Sequence, residues 1–361
     1  MRILYVSEAF GGGVFETIRL LAQGAVDQGH SVAIAYGVRP ETPDSLREHL
    51  DDQVELFPMP WTRRTATAQL EAFFRFRSVM DEWKPDVVHL QSSFAGIVGA
   101  LAANGVPVIY SPQAYTSGIW EGGFLRRSAF RAAERFVSRR VTIVGAVSHS
   151  EALLARRLTG ARHVTVIENG VPELDANRLV ERDPPASPLV VAVGRTVPQR
   201  QPEACARILS GVGDIAEVAW IGGGGGDQGR RGWVALERAG IQPTGWLPRE
   251  QVLERLGRAS AYLHWTAWDG LPLSALEAMA LDVPVVASDI EPNREVLGPK
   301  QVCSTEEEAI ALLRKLLTDR EFAKGLLASQ RRRRLRYGAR RMVREWLDLY
   351  ESLLRPGAPM L

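Results

Sequence analysis

The feature that most limits what this chain can fold into is a series of short β-branched apolar runs that do not alternate with polar residues. In the first half these are RILYVSEA (2–9), SVAIAYG (31–37), VELFPM (54–59), DVVHLQ (86–91), VPVIYSP (106–112) and TIVGAVS (142–148). A strand with one wet face alternates, whereas a strand apolar on both faces lies inside a parallel sheet covered by helices. Parallel neighbours need crossovers, and helical patterns at 14–29, 67–83, 93–104 and 124–139 supply them. The first half therefore reads as a doubly wound α/β domain. Periodicity lapses over 172–188, PELDANRLVERDPPASP, where Pro and charge gather as in a linker. A second series follows: LVVAVGR (189–195), EVAWIGG (217–223), QPTGWL (242–247), AYLHWT (261–266) and VPVVASD (283–289). The expected division is a domain at 1–171, a linker at 172–188, a second domain at 189–335 and a terminal helix at 336–361. That last helix carries Met342, Val343, Trp346, Leu349, Tyr350 and Leu353 on one stripe.

A chain of 361 residues suits two domains of ordinary size, and 45% hydrophobic with 24% charged residues is the balance of a soluble globular protein. No apolar run reaches the roughly 18 residues that span a bilayer. MRILYVSEAF reaches Glu8 before a long apolar region forms, so it reads as a first strand and not a signal peptide. Two cysteines, Cys205 and Cys303, make neither a disulfide framework nor a metal-ligand spacing, and a reducing cytoplasm is the expected setting. A net charge of +2 does not point to nucleic acid. Only four of the 44 basic residues are lysines, which leaves little room for lysine-based covalent chemistry.

The chemistry concentrates in DGLPLSALEAMALDVPVVASD, residues 269–289. Asp269 and Glu277, with seven residues between them, flank a Gly-Leu-Pro turn that opens a helix. A helix mouth attracts phosphate, and carboxylates accept hydrogen bonds from hydroxyls, so the pair suits a sugar nucleotide. The same letters also fit an ordinary helix start with Asp269 as a cap. In VAVGRTVPQRQPE, residues 191–203, a buried strand ends at Gly194-Arg195 and a short turn carries Arg200. Two guanidiniums there can converge on a diphosphate, or can stand as a solvated pair at a strand end. Gly11-Gly12-Gly13 offers unobstructed backbone amides after the first strand but lacks the spacing of a dinucleotide fingerprint. Gly222 to Gly226 reads either as a lip near a nucleobase or as a loose loop.

The 269–289 block resembles the acid–seven–acid motif of retaining glycosyltransferases of family 4, with Asp269 where that family usually carries Glu. The shorter side chain draws the carboxylate back by roughly one C–C bond. Over nearly the whole chain the resemblance implies the GT-B fold, two Rossmann-like domains facing across a cleft with the last helix crossing back to the first. It implies that Arg195 and Arg200 stabilise a leaving diphosphate, helped by Gly12 and Gly13. Glu277 would hold ribose hydroxyls, Asp269 the donor sugar, and Gly223 would lie near the base. The turn at Gly270, with the amides of Leu271 and Leu273, would face phosphate. In YSPQAYTSG (110–118) many relatives carry His, whereas this chain has Gln113, which can orient a donor but cannot act as a base. His89 reads as a packed core histidine, His149 as a helix-start residue, and Asn169-Gly170 as a turn in which Gly170 takes a positive φ.

The resemblance thus implies hexosyl transfer from a UDP- or GDP-linked sugar to a glycan or lipid-linked acceptor in bacterial surface polysaccharide assembly, without metal or other cofactor. Arg127, Arg131, Arg135 and Arg139 form a stripe within 124–141 that suits either an anionic membrane face or a solvated surface. A sugar-nucleotide epimerase or a phosphorylase would need histidines or a cofactor lysine that the motifs do not supply. A catalytically silent binding protein would agree with the two departures, Asp269 and Gln113.

Overall fold

The computed structural model describes residues 1–61, 65–103, 105–115, 124–174, 187–224 and 226–355. It divides into two compact units, Met1–Gly170 with Ala339–Leu361, and Val171–Gly338.

The first unit is built on seven parallel strands: β1 (Arg2–Ser7), β2 (Ser31–Gly37), β3 (Glu55–Met59), β4 (Val87–Leu90), β5 (Val108–Tyr110), β6 (Ile143–Ala146) and β7 (Val164–Val166). Their spatial order is β3-β2-β1-β4-β5-β6-β7, so the chain reverses direction across the sheet between β1 and β4. Both faces are dry, which explains the missing alternation: Ile3 and Tyr5 point into one core, Leu4 and Val6 into the other. The helices Gly12–Asp27, Ala66–Trp83, Ser93–Ala102 and Phe124–Arg140 lie where the sequence pattern puts them, within about two residues. β7 has no counterpart in the sequence reading, because a three-residue, half-buried edge strand carries too little apolar signal.

The terminal helix Ala339–Leu354 belongs to this first unit, as the resemblance implies. Met342, Val343, Trp346, Leu349 and Tyr350 of the expected stripe are buried, joined by Leu347. Trp346 fits only because residue 145 is glycine: a Cβ there would stand 2.2 Å from Trp346 Cη2. Trp346 also packs on the His89 ring at 4.4 Å between centroids. His89 is indeed a core residue, bonded through Nδ1 to Tyr350 Oη at 2.6 Å and through Nε2 to Ser111 Oγ at 2.9 Å. Burial pushes its pKa down to about 3, so the ring is neutral, with both nitrogens engaged inside the core.

The second unit holds five parallel strands: β8 (Leu189–Val193), β9 (Glu217–Ile221), β10 (Ala261–His264), β11 (Val285–Ser288) and β12 (Val302–Cys303). Their order is β12-β11-β10-β8-β9, which puts the reversal between β10 and β8. One predicted strand is absent: 242–247 forms only an isolated antiparallel bridge between Gly222 and Gly245. Gly245 sits at φ 75° and Pro243 has no amide to donate, so the segment turns instead of extending. β12 went unforeseen because it is two residues long.

Candidate active site

In open α/β sheets ligands bind where neighbouring strands carry their crossovers in opposite directions, at the carboxyl ends of the strands. In the second unit that place lies between the ends of β8 and β10. After β8 the chain turns at Gly194 and passes through the short 3₁₀ turn Pro198–Arg200 into helix Pro202–Ser210. After β10 it runs through Trp265–Trp268 to Asp269. Three bonds stitch the two segments: Ala267 N–H to Gln199 O at 2.9 Å, Thr266 Oγ1 to Gln199 O at 2.9 Å, and Gln199 Nε2 to Trp268 O at 3.1 Å.

This stitching joins two residues that the sequence reading assigned to different parts of a ligand. Arg200 Nη1 lies 2.9 Å from Asp269 Oδ2, with 22% and 13% of the two side chains exposed. Asp269 Oδ1 also accepts the Gly270 amide at 3.0 Å. Burial works against charge on Asp269, but the Arg200 guanidinium and His264 beside it outweigh that cost and hold the carboxyl below its usual range. Arg200 likewise resists deprotonation: burial opposes its charge, and Asp269 more than compensates. Arg195 leaves the same turn with an exposed side chain.

Glu277, on helix Leu273–Ala280, accepts from Arg249 Nη2 at 2.8 Å. Arg249 opens helix Arg249–Gly257 directly after Pro248 and was not singled out from the sequence. Its one signal was a basic residue at a Pro-marked helix start. His264, at the end of β10, was also missed. It is buried, with Nε2 3.5 Å from Asp269 Oδ2. Burial lowers its pKa, and the ring stays neutral near pH 7.

Two assignments to backbone need correction. The Leu273 amide donates to Leu271 O at 2.9 Å, closing an inverse γ-turn about Pro272 (φ −78°, ψ 79°). It is therefore committed within the chain, as the Gly270 amide is to Asp269. Leu271 itself is buried. The glycines 222–224 are not a loose loop either. A Cβ at Gly222 would lie 2.4 Å from Gly194 O, and one at Gly223 would lie 2.6 Å from the Trp233 ring. Thr196 Oγ1 bonds Gly224 O at 3.1 Å, fixing the glycine run against the Arg195–Arg200 turn.

A cavity of about 770 Å³ opens beside this region, lined by Gln201, Trp265, Thr266, Asp289, Ser304 and Glu306 among others. Neither Arg200 nor Asp269 lines it. Among the described residues no group of three or more His, Cys, Asp or Glu side chains is arranged to hold a metal ion.

In the first unit the corresponding reversal carries Gly11 as N-cap of helix Gly12–Asp27, with Gly12 and Gly13 exposed on its first turn. Gln113 sits at φ 61° inside a chain of amides: Asn169 Nδ2 donates to Gln113 Oε1 at 2.8 Å, and Gln113 Nε2 donates to Gln91 Oε1 at 2.9 Å. Gly170 does not take the expected positive φ. Its amide instead meets Met342 Sδ at 3.1 Å. The helix at His149 is capped by Ser148, whose hydroxyl accepts the Glu151 amide at 3.1 Å. On helix Phe124–Arg140, Arg131, Arg135 and Arg139 are exposed as the stripe predicts, while the Arg127 side chain lies outside the described residues. No helix among the described residues is long and apolar enough to cross a membrane.

Two doubly wound parallel sheets, the second with an arginine–carboxylate pair at its reversal point, agree with the GT-B class that the resemblance implies. The chain belongs to the group 1 glycosyltransferases: residues 182–342 match the family model for glycosyl transferases group 1, and residues 12–170 match a glycosyl transferase 4-like domain. A 41.2 kDa protein in the cps region of Klebsiella pneumoniae is 24% identical over 316 residues, covering 82% of this chain and 84% of the relative. TuaC of Bacillus subtilis (strain 168), named as a teichuronic acid biosynthesis glycosyltransferase, is 24% identical over 226 residues, 60% of this chain and 56% of the relative. Anabaena HepE, solved in complex with UDP and glucose, superposes with a TM-score of 0.79 at 17% identity over 98% of this chain and all of that one (100%).

Proposed function

We propose that this enzyme moves a hexosyl unit, with retention at the anomeric carbon, from a UDP- or GDP-linked sugar to a hydroxyl of a glycan or lipid-linked saccharide. The setting would be bacterial surface polysaccharide assembly at the inner face of the membrane. The observation that carries the reading is the Arg200–Asp269 pair at the reversal point of the second sheet, with Arg195 on the same turn. The names of the Bacillus and Anabaena proteins support a sugar-nucleotide donor and a polysaccharide product.

In this reading the bond from the anomeric carbon to the diphosphate oxygen breaks while the acceptor oxygen bonds to the same face of the sugar. Charge grows on the departing phosphate, where Arg195 and Arg200 stabilise it through forked N–H donors. The acceptor proton passes to that phosphate oxygen, so no imidazole base is required and Gln113 does not impede the step. Glu277, its carboxylate held by Arg249, accepts hydrogen bonds from ribose hydroxyls, and Asp269 does the same for the donor sugar. Gly12, Gly13 and Gly223 keep their supporting assignments.

Release of nucleoside diphosphate from UDP-, GDP- and dTDP-linked hexoses without acceptor tests the reading. Slow hydrolysis of donors with one base, above the rate of an Arg200→Ala control, is the expected result. No release from any donor, with or without polysaccharide acceptors, would argue for a silent binding protein.

A further inference from the structure

His264 presents a problem that its packing does not solve. The ring is 2% exposed at the end of β10. Its Nδ1 side is provided for: Tyr262 Oη lies 3.0 Å away and Ser274 Oγ 3.4 Å away, and Tyr262 donates to Ser274 at 2.8 Å. With the Tyr262 proton on Ser274, Nδ1 faces the Tyr262 oxygen as an acceptor and the Ser274 hydroxyl as a donor, so this side of the ring accommodates either tautomer. The carboxylate opposite decides for a proton on Nε2, since an unprotonated Nε2 would set two acceptors face to face. Yet Nε2 is buried with no hydrogen-bond partner at bonding distance, and Asp269 Oδ2 stands 3.5 Å away. That oxygen is engaged by Arg200 at 2.9 Å. A buried donor is thus aimed at a carboxylate oxygen that another cation already holds. An apolar side chain would fill the space without leaving an unpaired N–H.

Resting on the donor reading above, we propose that His264 is a positioning residue that takes over the Asp269 carboxylate when Arg200 turns to the donor diphosphate. Arg200 can leave Asp269 without stranding a buried charge, because the Nε2–H closes the remaining gap. Asp269 then keeps its place and its charge while its other oxygen serves the sugar. The shorter acid at 269 is matched to this arrangement: a glutamate would carry its carboxylate past His264 by roughly one C–C bond. Tyr262 and Ser274 hold the ring in place through Nδ1.

The test combines kinetics with the imidazole resonances of protein labelled with ¹⁵N-histidine, His264 being assigned from its loss in His264→Gln. In the wild type His264 should show the neutral Nε2–H tautomer, and its Nε2 signal should shift when UDP or GDP binds. His264→Leu should lower kcat by roughly ten- to hundredfold, the worth of one hydrogen bond to a charged group, with donor KM nearly unchanged. His264→Gln, whose amide can donate in the same direction, should recover most of the loss. A folded His264→Leu enzyme with wild-type kcat, or Leu and Gln variants equally impaired, would overturn the role. So would a His264 signal that nucleotide does not move, a readout that stands even if His264→Leu fails to fold. A wild-type protein that binds no nucleoside diphosphate would overturn the donor reading itself, and this role with it.

Discussion

Replacing Arg200 with alanine should lower donor turnover by roughly 10²–10³-fold, the usual cost of removing one preorganised donor from a developing negative charge. The loss has two sources in this structure. One cation no longer meets the leaving diphosphate, and Asp269 is left with the Gly270 amide and with His264 at 3.5 Å. A carboxylate that Arg200 holds below its usual range would regain a higher pKa, so part of the loss should come back as pH is raised. Arg200→Lys keeps the charge without the fork and should fall between the two. Initial rates of nucleoside diphosphate release, with the melting curve as control for folding, decide the matter. Near-wild-type rates for Arg200→Ala would remove Arg200 from the chemistry.

Trp346→Ala should destabilise the first unit by about 3–5 kcal/mol, the range for deleting a large buried aromatic side chain. Trp346 is 1% exposed and wedged over Gly145 and His89, so truncation leaves a cavity where the terminal helix meets the sheet. Neighbouring side chains cannot close it, because the Gly145 backbone and the His89 bonds to Tyr350 and Ser111 fix two of its walls. Urea denaturation followed by tryptophan-independent circular dichroism should show the transition of the first unit moving to lower urea, with the other unit unchanged. A shift worth less than about 1 kcal/mol would mean that the terminal helix contributes little to this core.

The parallel sheets were legible because burial on both faces leaves a plain mark: Ile3, Leu4, Tyr5 and Val6 are all fully buried, and no polar residue interrupts them. Short or edge elements leave no such mark, and QPTGWL misled because β-favouring residues surround a glycine that the chain needs for a turn. The site was legible as motif and not as pairing. Arg200 and Asp269 each carry a sequence signal, but only the fold shows that they bind each other across 69 positions. Arg249 and His264 stand outside both motifs, and their parts are set by packing around Glu277 and Asp269. Likewise the Leu273 amide appeared available until the γ-turn at Pro272 used it.

In the proposed function the second unit grips a nucleoside diphosphate through arginines and Glu277. Calorimetric titration of UDP and GDP into the wild type, Arg200→Ala and Glu277→Ala tests it most directly. One nucleotide should bind the wild type, and each substitution should weaken it at least about tenfold, or about 1.4 kcal/mol. Binding of neither nucleotide, or unchanged affinity in both variants, would contradict it.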